Sequence, residues 1–226
     1  MEKYKKHNLS VFIIFTLLAF GLHALQAFEF FKYSFKPVEV FFHESSHLVT
    51  SLLFGGKIEA FHLEWQSGFV SHYISKGIPS IITSFNGYLG ASLFGFLMYY
   101  SSLHVSKFLK IFLMIYCSFF FLYSDGLMTS FILAGIIGLW FALWKLGTFG
   151  CYVLRFIGVY VMVSSIYSPT YLWAYTDSGD HVNLSEATFL PSFVFILSWI
   201  AIGLFFLFLA FKTTNKENDK LNGSLK

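Results

Sequence analysis

Charged side chains are scarce in this chain, which has 226 residues of which only 12% are Asp, Glu, Lys or Arg. Apolar residues make up 56% of it, and the mean hydropathy is +0.66. This composition excludes an ordinary soluble domain and indicates a polytopic membrane protein. The net charge of +3 is small, so it gives no support for nucleic-acid binding and fits a preference for a membrane surface.

Cysteine is also rare, since the chain has only Cys117 and Cys151. Both lie in apolar surroundings, and their separation is not a metal-binding spacing. The sequence therefore predicts neither a disulfide framework nor a thiol enzyme. Any chemistry in this protein has to come from other side chains.

Long uncharged runs dominate the chain instead. They cover about residues 9–28, 78–103, 111–124, 127–144, 156–174 and 189–211. Several reach the roughly 20 residues that a helix needs to cross about 30 Å of hydrocarbon. A shorter segment at 38–54 is a further candidate. We predict an all-α polytopic membrane protein with about six to seven transmembrane helices, with one integral membrane domain over 1–211 and a polar, disordered tail over 212–226.

One short polar motif interrupts the apolar segment at 38–54. Its residues, His43-Glu44-Ser45-Ser46-His47, match H-E-x-x-H, the signature of zinc hydrolases. Histidines four positions apart share one helix face, roughly 6 Å from each other, so that two imidazoles can bind one Zn²⁺. Glu44 lies on the adjoining part of that face, where its carboxylate can move a proton from water to a leaving amine. The motif predicts His43 and His47 as metal ligands and Glu44 as the catalytic residue.

The residues after the motif predict a β-hairpin. The motif helix is expected to stop at Gly55-Gly56. Side chains then alternate from Ile58 to Trp65, and a second short strand from Phe69 to Tyr73 follows a turn at Ser67-Gly68. Such a hairpin would lie at the membrane surface, where its edge strand could pair with an extended substrate peptide. The alternative is an interfacial loop with no such role.

Small residues recur in the next apolar run. Gly87, Ala91 and Gly95 are spaced by four, a pattern that lets helix backbones approach closely in lipid. We expect this helix to pack against the motif helix. Asn86, which is polar at membrane depth, either contacts a substrate carbonyl, as an oxyanion donor would, or forms an interhelical hydrogen bond.

A third metal ligand is required, because catalytic zinc sites use three protein ligands and leave one position for water. The candidates are Asp125, Asp177, Asp180, His181 and the hairpin histidines, His62 and His72. Asp125 is the only charged residue between Lys110 and Lys145, and it is either functional or part of a Ser-Asp-Gly turn. The residues around Asp180 leave two roles open for it, a metal ligand or the N-cap of a short helix that begins at His181.

Several segments of the chain together match a family pattern. They are His43-Glu-Ser-Ser-His47, Leu53-Phe-Gly-Gly56, Gly87-Tyr-Leu-Gly90 and Asp180-His-Val-Asn-Leu184-Ser-Glu-Ala-Thr188-Phe-Leu190-Pro191. With this order and spacing, the chain resembles the compact bacterial branch of the site-2 protease superfamily, the intramembrane zinc metalloproteases. The resemblance covers about residues 39–205. It departs from the family pattern at Gly179, where the family often has Ser.

The resemblance implies a function and a ligand set. Asp180 would be the third zinc ligand, and Asp125, within Ser124-Asp125-Gly126, would be the runner-up. The protein would be a multi-pass zinc metalloprotease of the bacterial cytoplasmic (inner) membrane. Its partners would be the lipid bilayer and a membrane-protein or peptide substrate, with no nucleic acid. The alternative is a non-enzymatic membrane protein, either transporter-like or a catalytically dead protease relative. The intact Glu44 and the absence of a second copy of the motif region favour the enzyme.

Overall fold

The computed structural model of the protein describes residues 8–25, 29–104, 107–175 and 177–223. These residues form helices with one small antiparallel sheet, which confirms the predicted fold class. In chain order the elements are α1 (Asn8–Ala24), α2 (Glu29–Leu53), β1 (Lys57–Leu63), β2 (Gly68–Tyr73), α3 (Ile78–Leu103), α4 (Lys107–Phe119), α5 (Gly126–Lys145), α6 (Gly147–Tyr171), α7 (Asp180–Thr188) and α8 (Ser192–Gly223), with 3₁₀ turns at Phe120–Tyr123 and Leu172–Ala174.

Within these residues, four helices are long and apolar enough to cross a membrane: α3, α5, α6 with the turn that follows it, and α8. The apolar helix α1 is shorter, with 17 residues. The predicted run at 156–174 begins earlier in the structure, at Gly147. The reason is that Arg155 is buried and its guanidinium donates hydrogen bonds to Asn8 Oδ1 (2.9 Å) and Ser102 Oγ (3.2 Å). A satisfied buried charge does not end a helix.

Helix α6 lies at the centre of the bundle, in contact with α1, α2, α3, α5 and α8. In its apolar membrane-spanning segment 78% is buried inside the protein, whereas the figure is 39% or less for α3, α5 and α8. It crosses α3 closely, because a Cβ added at Gly158 would lie 2.6 Å from the carbonyl oxygen of Gly95. Gly95, which we expected to face the motif helix, thus makes room for α6 instead.

Helix α2 carries the H-E-x-x-H motif and begins at Glu29, well before the predicted segment at 38–54. It accommodates a charged pair, in which Lys36 Nζ lies 2.8 Å from Glu39 Oε1. The same Glu39 oxygen accepts a hydrogen bond from Ser168 of α6 (2.8 Å). The helix ends at Leu53, just before the predicted stop at Gly55-Gly56, and Gly55 has a φ of +75°.

Strands β1 and β2 form the predicted hairpin. The N–H of Glu64 donates to the carbonyl of Ser67 (2.8 Å) and closes its turn. Phe61 lies opposite Val70 in the register, and a bulge falls between Ile58 and Ala60. The hairpin contacts α2 through both strands, so it covers the helix that carries the motif.

The two edges of this hairpin differ. On the outer edge of β1, the carbonyl of Phe61 accepts from the N–H of Asp125 (3.0 Å), and the N–H of Leu63 donates to Thr129 Oγ1 (3.0 Å). The start of α5 therefore occupies that edge. The outer edge of β2 has no strand partner in the part of the chain that the structure describes.

The C-terminal segment differs from the prediction of a disordered tail. The chain from Lys212 continues α8 as helix to Gly223, and residues 224–226 lie outside the described residues. Thr214 is buried, donates to the carbonyl one turn earlier (2.8 Å) and is hydrogen-bonded to the Tyr99 hydroxyl of α3. The polar composition suggested disorder, but the helix continues and the bond to Tyr99 joins its Thr214 to the bundle.

Candidate metal centre

The two histidines of the motif project from one face of α2, as the spacing predicts. His43 Nε2 and His47 Nε2 are 3.1 Å apart. Asp180, the first residue of α7, extends its carboxylate between them, with Oδ2 at 3.3 Å from His43 Nε2 and 3.1 Å from His47 Nε2. Helix α7 contacts both α3 and α8, and this packing brings Asp180 to the motif from a distant part of the sequence.

The separations of these three donor atoms fit a zinc ion. Tetrahedral zinc with ligand bonds of about 2.0–2.1 Å places two ligand atoms about 3.3–3.4 Å apart. The three observed separations, 3.1, 3.1 and 3.3 Å, lie close to this tetrahedron edge. Two imidazoles and a carboxylate are also a donor set that zinc accepts in catalytic sites. Among the described residues, this is the one group of His, Cys, Asp and Glu side chains with such geometry.

A backbone carbonyl orients His47. Its Nδ1 lies 2.7 Å from the carbonyl oxygen of Thr83 in α3, to which it donates. Nε2 is then the unprotonated nitrogen and presents its lone pair to the metal position. Histidines that bind metals are held by an outer hydrogen bond of this kind. No residue pattern predicts this contact, because any residue at position 83 supplies a carbonyl.

Glycines of α3 leave space for the motif. A Cβ at Gly87 would lie 2.5 Å from His43 Cε1 and 2.5 Å from His47 Nε2, and one at Gly90 would overlap the side chain of Ser46. The predicted packing of this small-residue helix against the motif helix is therefore correct at Gly87. Only glycine permits both imidazole rings to stand against the α3 backbone.

Glu44 lies in the same pocket as His47 and Asp180 of the donor group. The pocket is lined by Glu44, His47, Gly68, Phe69, Val70, His72, Thr83, Ser84, Gly179, Asp180 and Asn183. Strand β2 approaches the carboxylate so closely that a Cβ at Gly68 would lie 2.9 Å from Glu44 Cγ. The arrangement can thus hold a cation, a proton acceptor and a strand-like ligand within one cavity.

Asp180 does not act as a helix cap. The N-cap position of α7 belongs to Gly179, at φ +112°, and no side chain caps the helix there. A side chain at position 179 would be strained at this φ. The carboxylate of Asp180 instead points to the two histidines. Of its two predicted roles, metal ligand or N-cap, this geometry fits the ligand.

The other ligand candidates lie elsewhere. Asp125 is 61% exposed, and its Oδ2 is 3.7 Å from His62 Nδ1 on the hairpin. His181 is buried, and its Nε2 hydrogen-bonds to the carbonyl of Tyr175 (2.7 Å). Asp177 is exposed. None of these four side chains belongs to the donor group at the motif.

Asn86 makes the interhelical hydrogen bond that was one of its two predicted roles. Its amide nitrogen donates to Thr50 Oγ1 of α2. It does not line the pocket that contains Glu44. His72 of β2 does line that pocket, and burial lowers the pKa of its imidazole. The sequence singled out His72 only as one of several possible ligands.

The described residues form a helical membrane protein with an H-E-x-x-H helix, a carboxylate as the third donor and a pocket beside them, an arrangement typical of metallopeptidases. The family model for Peptidase M50B-like proteins matches residues 10–210. The chain therefore belongs to this family of the site-2 protease superfamily and is an integral membrane protein of the metalloprotease type. No curated protein and no solved structure matches the chain.

Proposed function

We propose that the protein is a zinc peptidase that hydrolyses peptide bonds in or near transmembrane segments of other membrane proteins. The observation that carries this proposal is the convergence of His43 Nε2, His47 Nε2 and Asp180 Oδ2. His47 and Asp180 of this group line the pocket that also contains Glu44. Zinc, when bound by these three side chains, supplies a Lewis acid for the peptide carbonyl and acidifies a water molecule.

In this reaction Glu44 is the proton carrier. Its carboxylate takes a proton from the attacking water, whose oxygen bonds to the carbonyl carbon, and delivers a proton to the nitrogen of the leaving amine. The C–N bond then breaks, leaving a carboxylate on one product and an amine on the other. Ser45 and Ser46 cannot replace Glu44 in this role, because both hydroxyls donate to the carbonyl of Phe42 (3.3 and 2.6 Å).

The free edge of β2 would hold the substrate. Phe61 directs its carbonyl away from β2, towards Asp125, so Val70, which lies opposite it, directs its own backbone groups away from β1. Gly68 and His72 share this orientation because each lies two residues from Val70, and the direction of the backbone groups repeats at every second residue of a strand. All three residues line the pocket. An extended peptide that pairs with this edge would pass beside Glu44.

This mode of binding favours segments that unwind. In a transmembrane helix each backbone carbonyl accepts a hydrogen bond from the N–H four residues later. The helix therefore has to unwind around the peptide bond before that bond can be cut. We therefore propose substrates with helix-breaking residues near the cleavage point. We also propose, from the resemblance to the compact bacterial branch, that the protein works as a multi-pass enzyme of the bacterial cytoplasmic membrane.

The test uses the full chain in liposomes with two synthetic transmembrane peptides, one of leucine and alanine only and one with a central Gly-Pro pair. We expect the wild-type protein with zinc to cut the Gly-Pro peptide near the pair and to leave the other peptide nearly intact. Glu44→Gln, which keeps all three donor side chains, should cut neither. Products that are identical for wild type and Glu44→Gln would contradict the proposed role of Glu44 and favour the non-enzymatic alternative.

A further inference from the structure

The hairpin contributes one side chain to the pocket whose role the hydrolysis described above does not explain. His72 lies in β2 and lines the pocket together with Glu44, His47 and Asp180. It does not belong to the donor group formed by His43, His47 and Asp180. A histidine beside a metal position, but outside the ligand set, is available to a bound substrate.

The position of β2 directs His72 to the metal centre. Gly68, near the start of the strand, faces Glu44, and the carbonyl of Tyr73 at its end lies within 3.1 Å of a Cβ added at Gly56, just after α2. The strand therefore runs alongside α2 over the length of the motif. His72 is on the same face as Gly68, because side chains separated by an even number of residues point the same way.

The two ring nitrogens of His72 have different surroundings. Nδ1 is buried and makes no hydrogen bond of normal geometry, and the backbone of Val70 lies near the ring. Nε2 is the nitrogen left for a molecule in the pocket. Burial lowers the pKa of this imidazole and so favours its neutral form. In the tautomer that carries its proton on Nε2, a neutral ring is a hydrogen-bond donor to the pocket.

Peptide hydrolysis needs such a donor. Negative charge builds up on the carbonyl oxygen as water adds to the carbon, and a fixed donor stabilises this charge more than it stabilises the ground state. Asn86, the donor that the sequence suggested, is bonded to Thr50. Asn183, which also lines the pocket, is an exposed side chain of α7. Thr83 and Ser84 also line the pocket with hydroxyls that can donate, but both belong to α3 and not to the strand whose edge would pair with the substrate. Of the two N–H donors outside the ligand set, His72 is more enclosed than Asn183.

We propose that His72 is a catalytic residue that donates a hydrogen bond from Nε2 to the carbonyl oxygen of the scissile peptide bond. This inference rests on the proposed peptidase function. The substrate would pair with the edge of β2, and the same strand would supply the donor, so binding of the peptide and alignment of its carbonyl would depend on one element.

The experiment compares His72→Ala, His72→Asn and His72→Gln in the full-length protein. For each variant we would measure zinc content, kcat and KM for the Gly-Pro peptide, and the affinity of a phosphinic peptide that mimics the tetrahedral oxygen. His72→Ala should lower kcat by about 10²–10³-fold, with KM and zinc content unchanged and with a parallel loss of affinity for the phosphinic peptide. His72→Gln, whose amide nitrogen takes the position of Nε2, should keep more activity than His72→Asn.

His62→Ala is the matched control. His62 belongs to the same hairpin but stacks on Phe69 and lies near Asp125, outside the pocket. It should leave kcat and the affinity for the phosphinic peptide unchanged. Wild-type kcat in His72→Ala would overturn the proposal, as would a loss of kcat that follows loss of zinc, or a loss that appears in Asn183→Ala instead.

The phosphinic peptide separates this inference from the function on which it rests. If the zinc-loaded wild-type protein cuts no peptide, the proposed function fails, but the analogue still reports whether His72 contacts an oxygen in the pocket. Weaker binding by His72→Ala and His72→Asn, with wild-type binding by His62→Ala, would support the contact. Equal binding by all variants would overturn it.

Discussion

The imidazole of His47 donates a hydrogen bond from Nδ1 to the carbonyl oxygen of Thr83, 2.7 Å away. This bond joins α2 to α3 and fixes the tautomer in which Nε2 faces His43 and Asp180. The geometry of the proposed zinc site therefore depends on how closely these two helices pack. Gly87 of α3 determines that distance, because its missing side chain leaves room for both imidazole rings.

Gly87→Ala should disrupt the metal site. The added methyl group would lie 2.5 Å from His43 Cε1 and His47 Nε2, so the rings or the α3 backbone have to move. We expect zinc affinity to fall by about 10–100-fold, as for the loss of an outer-shell contact, and stability to fall by about 1–3 kcal/mol from overpacking. Competition with a zinc chelator and thermal unfolding in detergent measure the two effects.

Gly135→Ala is the control for this substitution. Gly135 lies in α5, and an added Cβ there meets nothing within 4 Å. It should retain wild-type zinc affinity, and alanine should slightly favour the helix. If the two variants lost zinc affinity equally, the close contact between α3 and the motif would not be the cause.

The contact between Asn86 and Thr50 should stabilise the bundle without taking part in catalysis. Double-mutant cycles with Asn86→Ala and Thr50→Val are expected to give a coupling energy of about 0.6 kcal/mol, and no more than about 1.7 kcal/mol. The kcat of Asn86→Ala should equal that of the wild type, because Asn86 does not line the pocket. A large loss of kcat with no coupling between the two residues would show that Asn86 acts on the substrate.

The local features of the site were predictable from the sequence because they depend on residues that are close in the chain. The spacing of His43 and His47 predicts a shared helix face, and alternation predicts the hairpin from Ile58 to Tyr73. The choice between Asp180 and Asp125 was different. Each carboxylate reaches its position through the packing of distant helices, which no local pattern encodes, so the residues alone left both open and only the family resemblance favoured Asp180.

Charges that have partners inside the bundle explain why helix boundaries were predicted less well. Lys36 and Glu39 interrupt the apolar pattern before the motif, and Arg155 interrupts the pattern of α6. Each of these charges has partners inside the bundle, which are visible only in three dimensions. The helices therefore continue through residues at which the hydropathy pattern predicts that they end.

The stability of the protein should fall when one partner of the Lys36–Glu39 pair is removed, and it should fall less when both are removed. Lys36→Met leaves the buried Glu39 carboxylate without its cation, and we expect a loss of about 3 kcal/mol in stability, as for broken buried ion pairs. The double variant Lys36→Met/Glu39→Gln removes both charges and should recover most of this loss. Thermal unfolding in detergent measures it, and a double variant less stable than Lys36→Met would refute the explanation.

The zinc content of Asp180→Ala and of Asp125→Ala, each compared with the wild type, tests the ligand set most directly. Both variants remove one carboxylate, but only Asp180 has an oxygen within 3.3 Å of both motif histidines. We expect about one zinc per chain in the wild type and in Asp125→Ala, since a catalytic site binds one ion, and little zinc in Asp180→Ala after dialysis against a weak chelator. Full zinc occupancy in Asp180→Ala would contradict the proposed metal centre.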